Sequence, residues 1–452
     1  MKNNIDRILS RSVSKLIGGE GFRKKLETSP EKVVIKYGVD PTKPDLHLGH
    51  AVCLRKLREF QNLGCKIVFL IGDFTAMLGD PSGKDKTRPM IKGEEIGRNV
   101  DSYLKQIPKI LVTKESEIKD KKIGGFEIVF NFDWYESIHD MVVSDFLEKT
   151  KSFITKRSQL IKRRNEIIGG VKIMDGQKVE LKTVTMVNLF RTLSKITHGD
   201  LFARKTFRNR VNSQQEIFMH ELLYPVLQGI DSLIIGQIFG SCDLEIGGTD
   251  QLVNMKIGQK IQRTSLPPQK EQAVMAIEIL EGTDGKEKMS KSLNNYIGIT
   301  SDSDSPADVF GKTMRIPDEL VPRWVELCTD LDEVEFTNRL ETENPRDLKI
   351  ELARELVKIY HGKAAADQAE EEFTRLFAAD SKNGRPDEIP EIQIEEGSWG
   401  IIELLNSAKL VTSKSDARRL IEGGGVRVND QKVEKIDANF EVGKSELILQ
   451  IG

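Results

Sequence analysis

Two clusters of residues in this 452-residue chain have the types and spacing for phosphate chemistry. The first is Tyr37-Gly38-Val39-Asp40-Pro41-Thr42, followed by Leu46-His47-Leu48-Gly49-His50. An apolar run ends at Val39, two prolines turn the chain, and a helical period begins near Ala51. Both imidazoles then stand near a helix N-terminus, where unpaired backbone N–H groups and the helix dipole favour a phosphate. Gly49 between them lets a nucleotide approach the backbone. By itself His-x-Gly-His more often marks capping or surface histidines; the strand-turn-helix setting favours phosphate binding. The second cluster is Asp284-Gly285-Lys286-Glu287-Lys288-Met289-Ser290-Lys291-Ser292. Lys288 and Lys291 in a Gly-bearing loop can close over a polyphosphate and neutralise charge that grows on it during reaction. Lys-rich surface loops are common, so the pairing with the histidines is what raises this reading.

These residues need elements to position them. Short apolar runs recur at Lys32 to Val39, Lys66 to Ile71, Glu127 to Phe130, Ser232 to Ile235 and Asp243 to Ile246, several leading into Gly-rich turns. Segments of helical period lie between them, such as Cys53, Leu54, Leu57 and Phe60. The alternation predicts an α/β architecture with a mostly parallel, doubly wound sheet. Ligands bind beyond the carboxyl ends of such strands, so the residues just after each run are the ones to inspect. From about 146 to 188 the pattern gives way to a basic helical stretch and a hairpin signal at Asp175-Gly176, read as an insertion into the sheet domain. Its lysines and arginines are better explained as a solvated helix face than as an RNA contact. Beyond Thr300 the chain turns helical: Ser305-Pro306 and Asn344-Pro345 are cap residues followed by proline, and Leu348, Leu352, Leu356 and Ile359 mark one buried face. The expected organisation is a sheet domain over 1–299 with a mobile loop at 284–292, a helical domain over 300–377, a linker over 378–398 and a small α+β module over 399–452.

Composition narrows the classes of function. Lys+Arg is 68 against 70 Asp+Glu, a net charge of −2, so any nucleic-acid surface is a local patch and a globally basic nucleic-acid packer is excluded. The strongest apolar run, Ile67 to Ile71, is strand length, and no run approaches the roughly 20 residues needed to cross a bilayer. The N-terminus is polar and lacks the apolar core of a signal peptide, so a cytoplasmic protein is expected. Four scattered cysteines, Cys53, Cys65, Cys242 and Cys328, suggest neither a disulfide framework nor a zinc site, and no resident metal is expected.

His47-Leu48-Gly49-His50 resembles the His-Ile-Gly-His signature of class I aminoacyl-tRNA synthetases, and Lys288-Met289-Ser290-Lys291-Ser292 matches their second signature in full, about 240 residues on. Four further motifs resemble the bacterial tyrosyl-tRNA synthetases: Gly38-Val39-Asp40-Pro41-Thr42, Gly79-Asp80-Pro81-Ser82-Gly83-Lys84, Tyr224 through Asp231, and Gly247-Gly248-Thr249-Asp250-Gln251. The similarity covers nearly the whole chain, least well over 146–188. It implies a Rossmann-like catalytic domain with an inserted connective segment and a helical domain that meets the anticodon arm. The implied activity is a tyrosine–tRNA ligase that uses ATP, carried with Mg²⁺, and acts on tRNA(Tyr) as a homodimer. Thr42, His47 and His50 would contact the ATP phosphates, and Lys84, Arg88, Lys288 and Lys291 would clasp the leaving pyrophosphate. Asp40, Asp80, Tyr224, Gln228, Asp231 and Gln251 would bind tyrosine, and Gly38, Gly49, Gly248, Asp250, Met289 and Ser290 would line the ATP site.

The residues themselves support tyrosine. Tyr224, Gln228 and Asp231 are spaced to share a helix face, where a carboxylate can accept the phenol hydroxyl. The alternative is an ordinary core helix with polar residues facing water. One departure concerns Lys36, which stands where the family often has a tyrosine as second partner for the hydroxyl. Tyr37 beside it points to the opposite face of the strand. Near the C-terminus Lys414, Arg418 and Arg419 lie at helical spacing beside Ala417, Leu420 and Ile421, with Arg427 on a following strand. This local basic patch suits phosphate-backbone binding and resembles the RNA-binding domain named after ribosomal small-subunit protein four. Two other readings remain: a tryptophanyl-tRNA synthetase, which normally lacks that module and the Tyr224, Gln228, Asp231 set, and a non-catalytic tRNA-binding relic.

Overall fold

The computed structural model describes residues 2–82, 93–135, 184–266, 271–377, 391–411, 413–429, 431–443 and 447–451. Lys84, Arg88, the Asp175-Gly176 hairpin and most of the 146–188 insertion lie outside the described residues. The chain divides into two compact units, 1–374 and 375–452.

The first unit is built on a six-stranded sheet. Its strands are β1 (Val13–Ile17), β2 (Val34–Val39), β3 (Lys66–Ile71), β4 (Phe126–Phe130), β5 (Leu244–Gly248) and β6 (Ala273–Ile277), in the spatial order β1-β6-β5-β2-β3-β4. All neighbours run parallel except β1, which lies antiparallel to β6. Helices cover both faces, so β3 and β4 read as almost unbroken apolar runs. The order advances from β2 to β3 and β4 on one side and from β5 to β6 on the other. The crevice of this doubly wound sheet therefore opens between the carboxyl ends of β2 and β5.

The apolar run at Ser232 to Ile235, read from the sequence as a strand, lies instead inside the helix Met219–Phe239. A four-residue apolar run cannot distinguish strand from buried helix, and here the helix period of Leu227, Ile230, Ile234 and Ile235, all buried, decides. The same helix corrects the expectation that no segment reaches bilayer length, since its 21 residues are long and apolar enough to cross a membrane. It also carries buried Glu221 and Asp231 and packs lengthwise on the helix Leu252–Ser265. The two helices meet at Gly229 and Gly258, where a Cβ on Gly229 would stand 2.9 Å from the Gly258 Cα. The sequence reading passed over β1 and β6; Ala and Met, prominent in β6, are weak strand formers.

The helix Leu48–Asn62 begins at His47, slightly earlier than the period alone suggests, because His47 is its cap. Ser305 and Asn344 cap the helices Pro306–Met314 and Pro345–His361 as their sequences predict, each with proline in the first turn. The helices after Thr300 share the first unit's core through Phe310, Trp324, Leu348, Leu352 and Leu356. In the second unit, the helices Ile401–Ser407 and Lys414–Glu422 pack with a two-stranded and a three-stranded sheet around Ile401, Leu405, Ala417, Ile421, Val426 and Val428.

Arg11 fastens the N-terminal segment to the helix Val321–Cys328. Its buried guanidinium donates to the carbonyls of Val325, Glu326, Thr329 and Leu331 at 2.9–3.2 Å, where the helix C-terminus concentrates negative potential. Arg11→Met leaves these carbonyls without their donor, and we expect a loss of about 2–4 kcal/mol in urea unfolding.

Candidate active site

Asp40 follows β2 directly and forms the floor of the crevice. Its Oδ1 accepts from the Thr75 hydroxyl at 2.8 Å and its Oδ2 from the Tyr224 hydroxyl at 2.9 Å. Burial and the carboxylate of Asp40 hold the Tyr224 phenol well above its ordinary pKa, so it stays a donor. Thr42 is turned by its N–H onto the Asp40 carbonyl, at 2.8 Å. Gly38 is exposed at the end of the central strand, leaving open space above the sheet.

Asp231, Gln228 and Tyr224 project from the helix Met219–Phe239 toward this crevice. Asp231 is buried and accepts from Trp134 Nε1 at 2.9 Å and from Asn131 Nδ2 at 3.3 Å. Burial pushes its carboxyl up to about 6, against the pull of Lys36 and these donors. Gln228 donates to Glu245 Oε1 at 3.0 Å, and Gln251 donates to Asp80 Oδ2 at 2.7 Å. Asp80 Oδ1 in turn accepts the Ser82 N–H at 2.9 Å.

Lys36 is fully buried. Its ammonium donates to the Gln228 carbonyl, the Ser232 hydroxyl and Glu245 Oε1, at 2.8, 2.8 and 2.9 Å. All three ammonium hydrogens are thereby used, so none is left for a ligand hydroxyl. Lys36 and Glu245 face each other in register on β2 and β5. Although burial works against it, Lys36 and the Gln228 and Gln272 amides hold the Glu245 carboxyl below its usual range.

The histidine motif is both a cap and a site. His47 Nδ1 accepts the Gly49 N–H at 3.2 Å, and His50 Nδ1 accepts the His47 N–H at 3.3 Å, a reciprocal capping box. Since each Nδ1 is an acceptor, each neutral ring carries its proton on Nε2 and offers an N–H donor. Burial, then Lys288 and Lys291, lower His50 to about 4; burial, then His50 and the same lysines, lower His47 well below its usual value. Gly49 is also closely packed, because a Cβ there would stand 3.0 Å from His47 Cε1, so the capping imidazole would have to shift.

The second signature docks on this motif. Leu48 N–H donates to the Ile297 carbonyl at 2.9 Å, Met289 is buried, and Ser290 N–H donates to Asn295 at 2.8 Å. Lys288 pairs with Asp250 at 2.6 Å, and Lys291 pairs with Asp45. Gly248 ends β5 and Asp250 lies just beyond it. The expected residues within the described part of the first unit thus come together at one crevice. In the second unit Lys414, Arg418, Arg419 and Arg427 are all exposed, on the helix Lys414–Glu422 and the strand Val426–Val428. Sequence reasoning missed Asp45, Asn131, Trp134, Arg204, Glu245 and Asn254. Asn131 and Trp134 directly follow β4, where the rule of inspecting strand ends finds them.

A sheet with its crevice at the β2/β5 reversal, crossed by the histidine helix and the lysine loop, defines a nucleotide-activating α/β enzyme. The family model for class I tRNA synthetases of the W and Y group matches residues 28–378, and that for the tyrosine–tRNA ligase C-terminal domain matches 380–447; the chain belongs to this family. Within it the chain falls among the bacterial tyrosine–tRNA ligases. The enzyme of that name from Bdellovibrio bacteriovorus is 40% identical over 92% of this chain and 88% of its own length. Those from Mannheimia succiniciproducens and Thermotoga maritima are each 37% identical, over 100% and 99% of this chain and 95% and 94% of their own. A C-terminally truncated mitochondrial tyrosyl-tRNA synthetase of Aspergillus nidulans shares the fold, with a TM-score of 0.59 and 19% identity over 83% of this chain and 94% of that one. The tyrosyl-tRNA synthetase of Archaeoglobus fulgidus gives a TM-score of 0.53 and 19% identity over 82% of this chain and 99% of that one.

The histidine pKa directions carry a sign. His50 has a folded value of about 4 against an unfolded 6.5, so between these the unfolded chain binds more protons and stability falls as pH falls. His50→Gln keeps an acceptor for the cap. We expect the wild-type minus His50→Gln difference in unfolding free energy to decline from pH 6.5 toward pH 4 and then level off, measured by urea titration.

Proposed function

We infer that this chain is a tyrosine–tRNA ligase: it activates L-tyrosine with ATP and then charges tRNA(Tyr). The observation that carries this reading is the pair of opposed sites in one crevice. Tyr224, on the helix that also carries buried Asp231 and Gln228, donates to Asp40 beyond β2, while Lys288 of the signature loop pairs with Asp250 beyond β5.

In the first step a tyrosine carboxylate oxygen attacks the α-phosphorus of ATP, the α–β phosphoanhydride bond breaks, and pyrophosphate leaves with its electron pair. Asp231 takes the phenol hydroxyl, while Asp40, Asp80, Tyr224, Gln228 and Gln251 arrange the ammonium and carboxylate. Gly38, Gly49, Gly248, Asp250, Met289 and Ser290 shape the ATP site. Thr42 and the neutral imidazoles donate to the phosphates without adding fixed charge, and Lys84, Arg88, Lys288 and Lys291 meet the charge on the departing pyrophosphate. In the second step a ribose hydroxyl of the 3′-terminal adenosine attacks the tyrosyl carbonyl and AMP leaves. A buried acceptor left unpaired is costly, which disfavours phenylalanine; tyrosyl-tRNA synthetase is the standard illustration of that rule.

Mg²⁺ enters with the ATP phosphates. Among the described residues no group of three or more His, Cys, Asp or Glu side chains converges to hold a resident ion. The helices of 300–377 meet the anticodon arm, and Lys414, Arg418, Arg419 and Arg427 add phosphate contacts from an otherwise near-neutral chain. The working protein is a cytoplasmic homodimer. Val187, Phe190, Val211, Phe218 and Met219 are 47–70% exposed and make up five of the nine large exposed apolar side chains among the described residues, which supports reading this stretch as the subunit contact.

The test is amino-acid-dependent ATP–pyrophosphate exchange with tyrosine, tryptophan and phenylalanine. Exchange with tyrosine alone is expected; tryptophan-dependent exchange would move the assignment to the tryptophan enzyme, and none at all would leave a tRNA-binding relic. Lys288→Ala should lower kcat by about a hundredfold or more while tyrosine affinity changes little, since its contact matters in the transition state. Val187→Glu with Phe190→Glu should halve the mass measured by light scattering.

A further inference from the structure

The two glutamines of the tyrosine site are bridged by a residue that no part of the reaction uses. Asn254, fully buried in the first turn of the helix Leu252–Ser265, stands between them. Its Nδ2 donates to Gln228 Oε1 at 2.9 Å and to Gln251 Oε1 at 3.0 Å, with the Ser82 hydroxyl at 3.3 Å. Its Oδ1 accepts from Arg204, a buried guanidinium whose other terminal nitrogen donates to Ser82 Oγ at 3.0 Å.

An amide can turn over and exchange its oxygen and nitrogen, so its orientation is set by partners that can act in one way only. Arg204 can only donate, and it takes the Asn254 oxygen. The Asn254 nitrogen is thereby turned toward the glutamines and takes their oxygens. At their far ends ionised carboxylates, which only accept, take the two nitrogens: Glu245 receives Gln228 and Asp80 receives Gln251. Glu245 is itself fixed by Lys36, Ser232 and Gln272. Every amide in the chain from Arg204 to Glu245 and Asp80 thus has one orientation, and each glutamine oxygen keeps a second lone pair for a ligand donor.

We propose that Asn254, oriented by Arg204, is the positioning residue that sets both glutamines with their carbonyl oxygens toward the tyrosine ammonium. The inference rests on the tyrosine-binding reading of Gln228 and Gln251. It makes recognition of the amino group a property of a buried relay rather than of the two glutamines alone. An isolated glutamine presents donor and acceptor about equally; here the wrong orientation would oppose N–H to N–H at Asn254 and oxygen to oxygen at a carboxylate.

Asn254→Asp separates this role from a structural one. The substituted carboxylate is nearly isosteric and meets the Arg204 guanidinium directly, yet it cannot donate to either glutamine. In ATP–pyrophosphate exchange the tyrosine KM should rise about tenfold or more, with the ATP KM within about twofold of wild type and the melting temperature not lowered. Arg204→Lys, which retains a donor-only head, should keep the tyrosine KM within about threefold. An unchanged tyrosine KM in Asn254→Asp, an equal rise for both substrates, or a destabilised protein would each overturn the inference. Wild-type protein that fails to exchange with tyrosine would instead overturn the functional reading.

Discussion

Charge that is buried must be neutralised or hydrogen-bonded, and the centre of this molecule is organised by that requirement. Asp80, Asp231 and Glu245 are buried at the β2/β5 crevice together with Lys36 and Arg204. Lys36 balances Glu245 across neighbouring strands, and Arg204 lies near Asp80. Asp231 is left with neutral donors, Trp134 and Asn131, and with a raised pKa. Three buried acids thus face two buried bases. Lys36 therefore belongs to the scaffold that holds the glutamine, not to the grip on the phenol.

The nucleotide side answers the same constraint differently. His47 and His50 spend one ring nitrogen on the helix terminus and keep the other as a donor, so a single motif both starts the helix and leaves two N–H donors. Their neutrality leaves the positive charge to lysines on a loop. Those lysines pair with Asp250 and Asp45. Met289 is buried in the loop, and the Ile297 carbonyl just beyond it accepts the Leu48 N–H, so the two signatures are held side by side.

The parallel sheet, its loop sites and the helical caps were legible in the chain because they depend on local order: β-branched runs, Ser-Pro and Asn-Pro starts, glycines at turns. The histidine and lysine signatures were legible for the same reason, as were the spacing of Tyr224, Gln228 and Asp231 and the basic helix at Lys414. Residues that merely follow a strand, such as Asn131 and Trp134, were within reach of the same reasoning. The run at Ser232 to Ile235 was not, because apolar residues four long fit a strand or a buried helix equally well.

Only the tertiary structure decided which charges meet. Lys36 and Glu245 are 209 residues apart and Arg204 and Asn254 are 50 apart, and no period in the sequence links them. Strand order, which sets β2 beside β5, makes the first pair, and the close crossing of two helices at Gly229 and Gly258 brings Gln228 to Asn254. The sequence by itself determined the class of chemistry, since that depends on which side chains stand at the ends of which elements. The orientation of the amides that select the substrate depends on donors and acceptors brought together from distant segments, and only the folded chain supplies them.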